Sequence, residues 1–262
     1  MNPKLVYPKR IVLTIIVAVL GIAGCDSGPA LEAGANTAGH TAPTEMTSRI
    51  NKEVLEQRPF SNREDFDNGQ NAPASANPSL WRQASLNNIH GLFKVTDGLY
   101  QVRGYDLANM SIIESDTGWI LVDPLTSRET ASKAFLFAQE HLGKKPLKAI
   151  IFTHSHIDHF GGVLGVLQHL SEEEKRELRI IAPEGFEEEA TSENIIAGPA
   201  MTRRAMYMYG KRLDRDERGH VGTGLGKGPA FGNFGFAQPT QLVSETGSEL
   251  TVDGIQMVFQ IV

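Results

Sequence analysis

Hairpins first and β-α-β units after them: that order of elements predicts a layered α/β (α+β) domain. Three observations carry it. The turn signals Asp97-Gly98 and Asp116-Thr117-Gly118 separate short apolar runs at the start of the domain. Helical spacing of Ala131, Ala134, Phe135, Ala138 and Leu142 then sits between strand-like runs. The apolar runs at 148–152 and 179–182 read as strands in the β-α-β part. No internal repeat is present.

The chain has 262 residues, 40% of them hydrophobic, enough for one large domain or two small ones. Its formal charge of −6 argues against a nucleic-acid partner, because phosphate binding needs a basic face. Residues 1–24 read as a lipoprotein signal peptide: Lys4, Lys9 and Arg10 give a basic start, and an apolar run follows from Ile11 to Gly24. That run is short of the roughly 20 residues a membrane span needs. Ile22-Ala23-Gly24-Cys25 resembles the bacterial lipobox, so Cys25, the only cysteine, is the expected lipidation site. The protein is therefore expected to be exported and lipid-anchored on the periplasmic side of a bacterial membrane, with Asp26 pointing to the inner membrane. Residues 25–47, rich in Ala, Gly, Asn, Pro, Ser and Thr, read as a flexible tether. Residues 48–90 form an N-terminal arm, with helical spacing of Ile50, Val54 and Leu55 within 48–66.

The ordered domain, residues 91–262, opens with strands at 92–95, 99–103, 110–114 and 119–122. Thr126 with Glu129 matches a capping box for the helix that Gly143 stops. A buried strand at 148–152 leads to a helix at 161–170, and Ser171 with Glu174 caps another. A strand at 179–182 precedes helical stretches at 184–195 and 199–210 and a Gly-rich loop at 214–240. Strands at 240–243, 249–252 and 255–261 close the chain, the last two joined at Asp253-Gly254.

The chemistry lies in the loop leaving 148–152: Thr153-His154-Ser155-His156-Ile157-Asp158-His159-Phe160-Gly161-Gly162. Neutral imidazole and carboxylate together suit zinc or a similar borderline metal. In an extended segment His154 and His156 point the same way and can converge on one ion, while Asp158 and His159 can face a second. Two ions about 3.5–4 Å apart can share a water and lower its pKa towards 7. Gly161 and Gly162 let the backbone pass close behind such a site. The other titratable candidates are poorer: His169 is on the following helix, and His220 lies among glycines. His40, His90 and His141 belong to tether, arm and helix, and Glu245 and Glu249 to a turn.

This motif resembles the metallo-β-lactamase superfamily, whose fold is an αββα sandwich with metals at the strand edges. The resemblance implies that His154 and His156 bind one zinc and that Asp158 and His159 bind the other. It gives Asp158 a catalytic role as well, with two zinc ions in a complete site. Asp123 matches an aspartate that orients the ligands without binding metal; on chemistry alone it is equally a turn residue before Pro124.

Flanking sequence narrows the resemblance. His90-Gly91-Leu92-Phe93-Lys94-Val95, Leu99-Tyr100-Gln101-Val102-Arg103-Gly104-Tyr105-Asp106 and Met201-Thr202-Arg203-Arg204-Ala205-Met206-Tyr207-Met208-Tyr209-Gly210 look like the linear alkyl (alkyl/aryl) sulfatases. So do Pro59-Phe60, Asp65-Phe66 and Gly224-Leu225-Gly226-Lys227-Gly228. This implies zinc-dependent hydrolysis of alkyl sulfate esters such as dodecyl sulfate to an alcohol and inorganic sulfate. The alternatives are another hydrolase of the superfamily, acting on lactams, thioesters or phosphodiesters, and a non-catalytic truncated lipoprotein. Family sulfatases carry two more acidic ligands and a last histidine further downstream, then a dimerising helical region and a lipid-binding-like domain. The chain is therefore expected to be the N-terminal portion of a sandwich incomplete at its C-terminus, and the homodimer is a property of the full-length family. Of Arg203 and Arg204, adjacent on a helix, at most one faces a sulfate; solvated surface is the other reading. Met201, Met206, Tyr207, Met208 and Tyr209 suit an alkyl channel or core packing equally. The glycines of 222–235 match no phosphate-loop pattern and read as a cover over the pocket.

Overall fold

A computed structural model describes residues 10–14, 60–61, 70–210, 212–214, 216–224, 226 and 228–261. Cys25, Asp26, the tether and most of the leader and arm lie outside the described residues. Within the expected leader, Arg10–Thr14 is a strand, β1. Within the arm, Phe60–Ser61 is a two-residue strand, β2, where helical spacing pointed to a helix. Pro78–Asn88 is a helix, α1, started by the Asn77 side chain accepting from the Ser79 amide at 2.8 Å and by Pro78 in its first turn.

The domain is built on an eight-stranded mixed sheet. Its first half is antiparallel: β2, β3 (Gly91–Thr96), β4 (Leu99–Arg103), β5 (Met110–Glu114) and β6 (Trp119–Val122) follow one another as neighbours. Its second half is parallel: β6, β7 (Leu147–Ile151), β8 (Arg179–Pro183) and β9 (Gln241–Val243). The apolar runs explain this split. Every residue of β6, and four of five in both β7 and β8, are buried, as strands covered on both faces must be.

Alternate side chains of these strands feed two separate cores. Trp119, Leu121, Ile150, Phe152, Ile180 and Ala182 face helices, chiefly α2 (Arg128–Leu142), whose Ala131, Ala134, Phe135 and Ala138 are buried. Ile120, Val122, Ala149, Ile151 and Ile181 face a second sheet. That sheet is the hairpin of β10 (Glu249–Val252) and β11 (Ile255–Gln260), with β1 lying parallel along the outer edge of β11. Ile255, Met257 and Phe259 of β11 point inward. Among the described residues no helix residue belongs to this inter-sheet core. The layers are helix, sheet, sheet, in agreement with the sandwich expected.

The hairpin tip is a two-residue turn with φ of 43° at Asp253 and 80° at Gly254, the signature of a type I′ turn. Asp253 locks the two sheets together: its carboxylate accepts from the Thr117 amide at 2.7 Å and the Thr117 hydroxyl at 2.9 Å.

Several local expectations are corrected. The α2 cap is Ser127, whose oxygen accepts from the Thr130 amide; Thr126 is buried and its hydroxyl donates instead to Asp106 at 2.9 Å. Glu129 does not close a capping box but accepts from the Asn233 side chain at 2.7 Å. Before the helix expected at 161–170 comes an additional short one, α3 (Ile157–Phe160), inside the histidine motif, and the expected helix is shortened to α4 (Val163–Leu167). The glycines of this stretch mark a close approach. A Cβ on Gly162 would run into Pro124 O, and one on Gly165 into Arg128 O, so the start of α4 lies directly against the loop after β6 and the first residue of α2. The cap pair Ser171 and Glu174 starts α5 (Glu172–Glu177) as a complete capping box. Beyond β8 the expected helix divides into α6 (Phe186–Thr191) and a π-helical turn, Ser192–Ile196. The next helix, α7 (Gly198–Met208), has no buried residue, so Met201, Tyr207 and Met208 are exposed rather than core, as are Arg203 and Arg204.

Candidate metal centre

The loops leaving the C-terminal ends of β6, β7 and β8 meet at one place, the position where open α/β sheets bind ligands. The loop after β6 supplies Asp123, which is 7% exposed. Its φ of 58°, with 66° at Leu125 beyond Pro124, holds the backbone in the left-handed region, an unfavourable choice for residues other than glycine. The Asp123 amide donates to Ile151 O at 3.0 Å, carrying the β6–β7 ladder one residue further.

The Asp123 carboxylate organises the β7 loop. Oδ1 accepts from the Thr153 amide at 2.8 Å; Oδ2 accepts from the Thr153 hydroxyl at 2.7 Å and from His159 Nδ1 at 2.8 Å. Because the Thr153 hydroxyl gives its only proton to Asp123, it must accept from His154 Nδ1, 2.9 Å away. That fixes the His154 tautomer and leaves the Nε2 lone pair free. Burial, then the neighbouring His159 and His156, push the His154 pKa down to about 4, so the ring is neutral and able to ligate at pH 7.

His154 Nε2 lies 3.0 Å from His156 Nδ1, and His156 Nε2 lies 3.0 Å from Glu193 Oε1. Both nitrogens of His156 thus face acceptors, and a cation, a proton or a metal ion, has to lie between His154 and His156. The spacing suits a metal: tetrahedral zinc with nitrogen at about 2.0–2.1 Å separates its ligands by about 3.3 Å. His159 Nε2 lies 3.3 Å from Asp158 Oδ2, and the His154 and His159 ring centroids are 4.0 Å apart. Burial opposes a charge on His159, but the Asp123 and Asp158 carboxylates outweigh it and raise its pKa to about 10. Burial works against the Asp158 carboxylate too, yet its hydrogen bond to His159 holds it below the usual range.

Among the described residues no group of three or more His, Cys, Asp or Glu side chains is placed to hold a metal ion. The donors pair instead, His154 with His156 and Asp158 with His159, as the sequence spacing divides them. The donor chemistry fits a borderline divalent ion. His169 is elsewhere, 2.7 Å from Ser132 Oγ on α2, and His141 is held by Phe137 O. The Gly-rich segment is tied across the back of the motif: the Gly235 amide donates to Gly161 O at 2.8 Å, and Phe236 packs on Phe160 and Phe186.

Sequence reasoning missed Thr153 and Glu193 as members of this cluster. Thr153 stood in view as the first residue of the motif, but its role appears only once Asp123, thirty residues earlier, is beside it. Glu193 lies on the π-helical turn, which no helical or strand period reveals.

The sequence profile described as the metallo-beta-lactamase superfamily matches residues 103–248, a span that contains Asp123 and the whole histidine motif. A linear primary-alkylsulfatase of a Pseudomonas species is 49% identical over 191 residues, covering 73% of this chain and 28% of that protein. An alkyl/aryl-sulfatase of Saccharomyces cerevisiae is 40% identical over 247 residues, 82% of this chain and 38% of the yeast protein. The solved structure of the stereoselective inverting sec-alkylsulfatase Pisa1 from Pseudomonas sp. superposes with a TM-score of 0.64 at 38% identity, covering 81% of this chain and 38% of that one. The chain thus spans between 28% and 38% of the length of these relatives. With a helix-sheet-sheet core, two pairs of metal-type donors in the loop after β7 organised by Asp123 at the end of β6, and a profile match across both, the chain belongs to the metallo-beta-lactamase superfamily.

Proposed function

We propose that this chain carries the zinc-binding motif of an alkyl sulfatase, which hydrolyses alkyl sulfate esters such as dodecyl sulfate to an alcohol and inorganic sulfate. The superfamily fold implies a divalent metal, and the imidazole-rich donor set favours zinc. His154 and His156 would hold one ion, Asp158 and His159 the second. Bound metal would supply a water acidic enough to be hydroxide at neutral pH. Asp123 fixes His159 directly and His154 through Thr153, which keeps both rings in the ligating tautomer. The single observation that carries the reading is this pairing of donors behind one buried carboxylate. Identity to named alkylsulfatases along most of the chain supports the sulfate ester as substrate.

The test is sulfate release from dodecyl sulfate with zinc present, run beside lactam, thioester and phosphodiester substrates. Release that disappears in His154→Ala and His156→Ala supports the proposal. Turnover of another substrate in its place, or release that survives both substitutions, sinks it. The same reading has the protein exported and anchored through lipid on Cys25. Cys25→Ser should then move it from the membrane fraction to the soluble periplasm; an unchanged distribution contradicts the anchor. The homodimer is proposed for the full-length sulfatase only.

A further inference from the structure

Each imidazole of the motif has one nitrogen facing another donor of the motif and the other held by a side-chain oxygen. For His154 the holder is Thr153 Oγ1 at 2.9 Å, and for His159 it is Asp123 Oδ2 at 2.8 Å. His156 completes the pattern with Glu193 Oε1, 3.0 Å from its Nε2. Resting on the metal reading above, we propose that Glu193 is a positioning residue. It accepts the Nε2–H of His156, turns Nδ1 toward His154, and thereby sets which nitrogen His156 offers to the metal.

The local fold supports this assignment independently. The π-helical turn Ser192–Ile196 places two consecutive side chains on two consecutive residues of the motif. Next to Glu193, Asn194 donates its Nδ2 to Ser155 O at 3.1 Å and to Ala190 O at 2.8 Å. An α-helix with one residue fewer in that turn would rotate the pair away from the β7 loop. The Glu193 side chain is only 19% exposed, so its bond to His156 competes weakly with water. A carboxylate on the far nitrogen also raises the basicity of a ligating imidazole, and removing such a partner costs roughly 10- to 100-fold in metal affinity.

The experiment measures zinc dissociation constants by chelator competition on the whole chain, for wild type, His156→Ala, Glu193→Ala and Glu193→Gln. Two-bond ¹H–¹⁵N spectra of the zinc-loaded wild type read the His156 tautomer. We expect Glu193→Ala to bind zinc roughly 10- to 100-fold more weakly and Glu193→Gln, whose amide oxygen still accepts, to lose less. The spectra should show His156 protonated on Nε2. Unchanged affinity in Glu193→Ala, or a His156 proton on Nδ1, overturns the proposal while leaving the metal site standing. Zinc binding that is absent in wild type, or indifferent to His156→Ala, overturns the metal reading and this proposal with it. The tautomer is read on the wild-type protein, so a variant that fails to fold does not spare the idea.

Discussion

Replacing Asp106 by alanine should cost the protein a large part of its stability, although Asp106 touches no metal-type residue. The side chain is buried, 3% exposed, and its two oxygens accept five hydrogen bonds from four parts of the chain. Oδ1 takes the Leu107 amide, the Thr126 hydroxyl and the Ala230 amide; Oδ2 takes the Thr126 amide and the Thr130 hydroxyl. The Thr130 hydroxyl has a second acceptor in Ser127 O at 3.1 Å, and the Thr126 hydroxyl can rotate. The amides of Thr126, Leu107 and Ala230 cannot. A buried donor left unmatched costs about 1–3 kcal/mol, and water reaching the half-open Ala230 side offsets part of that. Asp106→Ala is therefore expected to lower unfolding free energy by about 3–5 kcal/mol. Asp106→Asn keeps one oxygen but sets an NH₂ group against the Thr126 amide, for a loss of about 1.5–3 kcal/mol. Urea denaturation of metal-free protein, followed by far-UV circular dichroism, measures both. A loss below about 1 kcal/mol for alanine would refute the accounting, as would an asparagine variant less stable than the alanine one.

Three further outcomes follow from the site. Thr153→Val, nearly isosteric, removes the hydroxyl linking Asp123 to His154 and should weaken zinc binding roughly 10- to 100-fold; chelator competition checks it, and wild-type affinity counts against the relay. In metal-free protein the His159 pKa is raised to about 10. Its contacts with Asp123 and Asp158 therefore stabilise fully below the unfolded value of about 6.5 and are lost as pH rises through about 10. His159→Ala should flatten the decline in stability across that window, and an unaltered slope contradicts the assignment. Gly162→Ala places a methyl against Pro124 O and Ala131 Cβ, so overpacking should cost at least about 1–3 kcal/mol by thermal or urea unfolding. An unchanged midpoint there means the loop after β6 yields more easily than its contacts indicate.

Much of this architecture is legible in the sequence because its strands are buried on both faces and its turns are chemically marked. The runs at β6, β7 and β8 need no partner to be recognised, and Asp253-Gly254 announces a hairpin by itself. The paired donors follow from motif spacing, since His154, His156, Asp158 and His159 lie within one loop. What failed to show was decided by partners distant in sequence. Thr126 reads as a helix cap until the buried Asp106 takes its hydroxyl. The helix after the motif reads as running to 170, yet it ends at Leu167, packed through Gly162 and Gly165 against the β6 loop and the start of α2. Glu193 sits in a helical pattern broken by a π turn, and its target is thirty-seven residues earlier. The methionines and tyrosines of α7 suit core packing or an alkyl channel equally in the sequence, yet the described residues leave that helix without a buried side chain. Arg10–Thr14 shows the reverse ambiguity: an apolar β-branched stretch serves a leader or a strand, and here it lies along β11.

The most direct test of the metal assignment is zinc content per chain after loading and gel filtration, for wild type and for His154→Ala with His159→Ala combined. The account predicts at least one zinc retained by the wild type and none by the double variant, because the substitutions break both donor pairs. Equal zinc in the two proteins, or none in either, would contradict it.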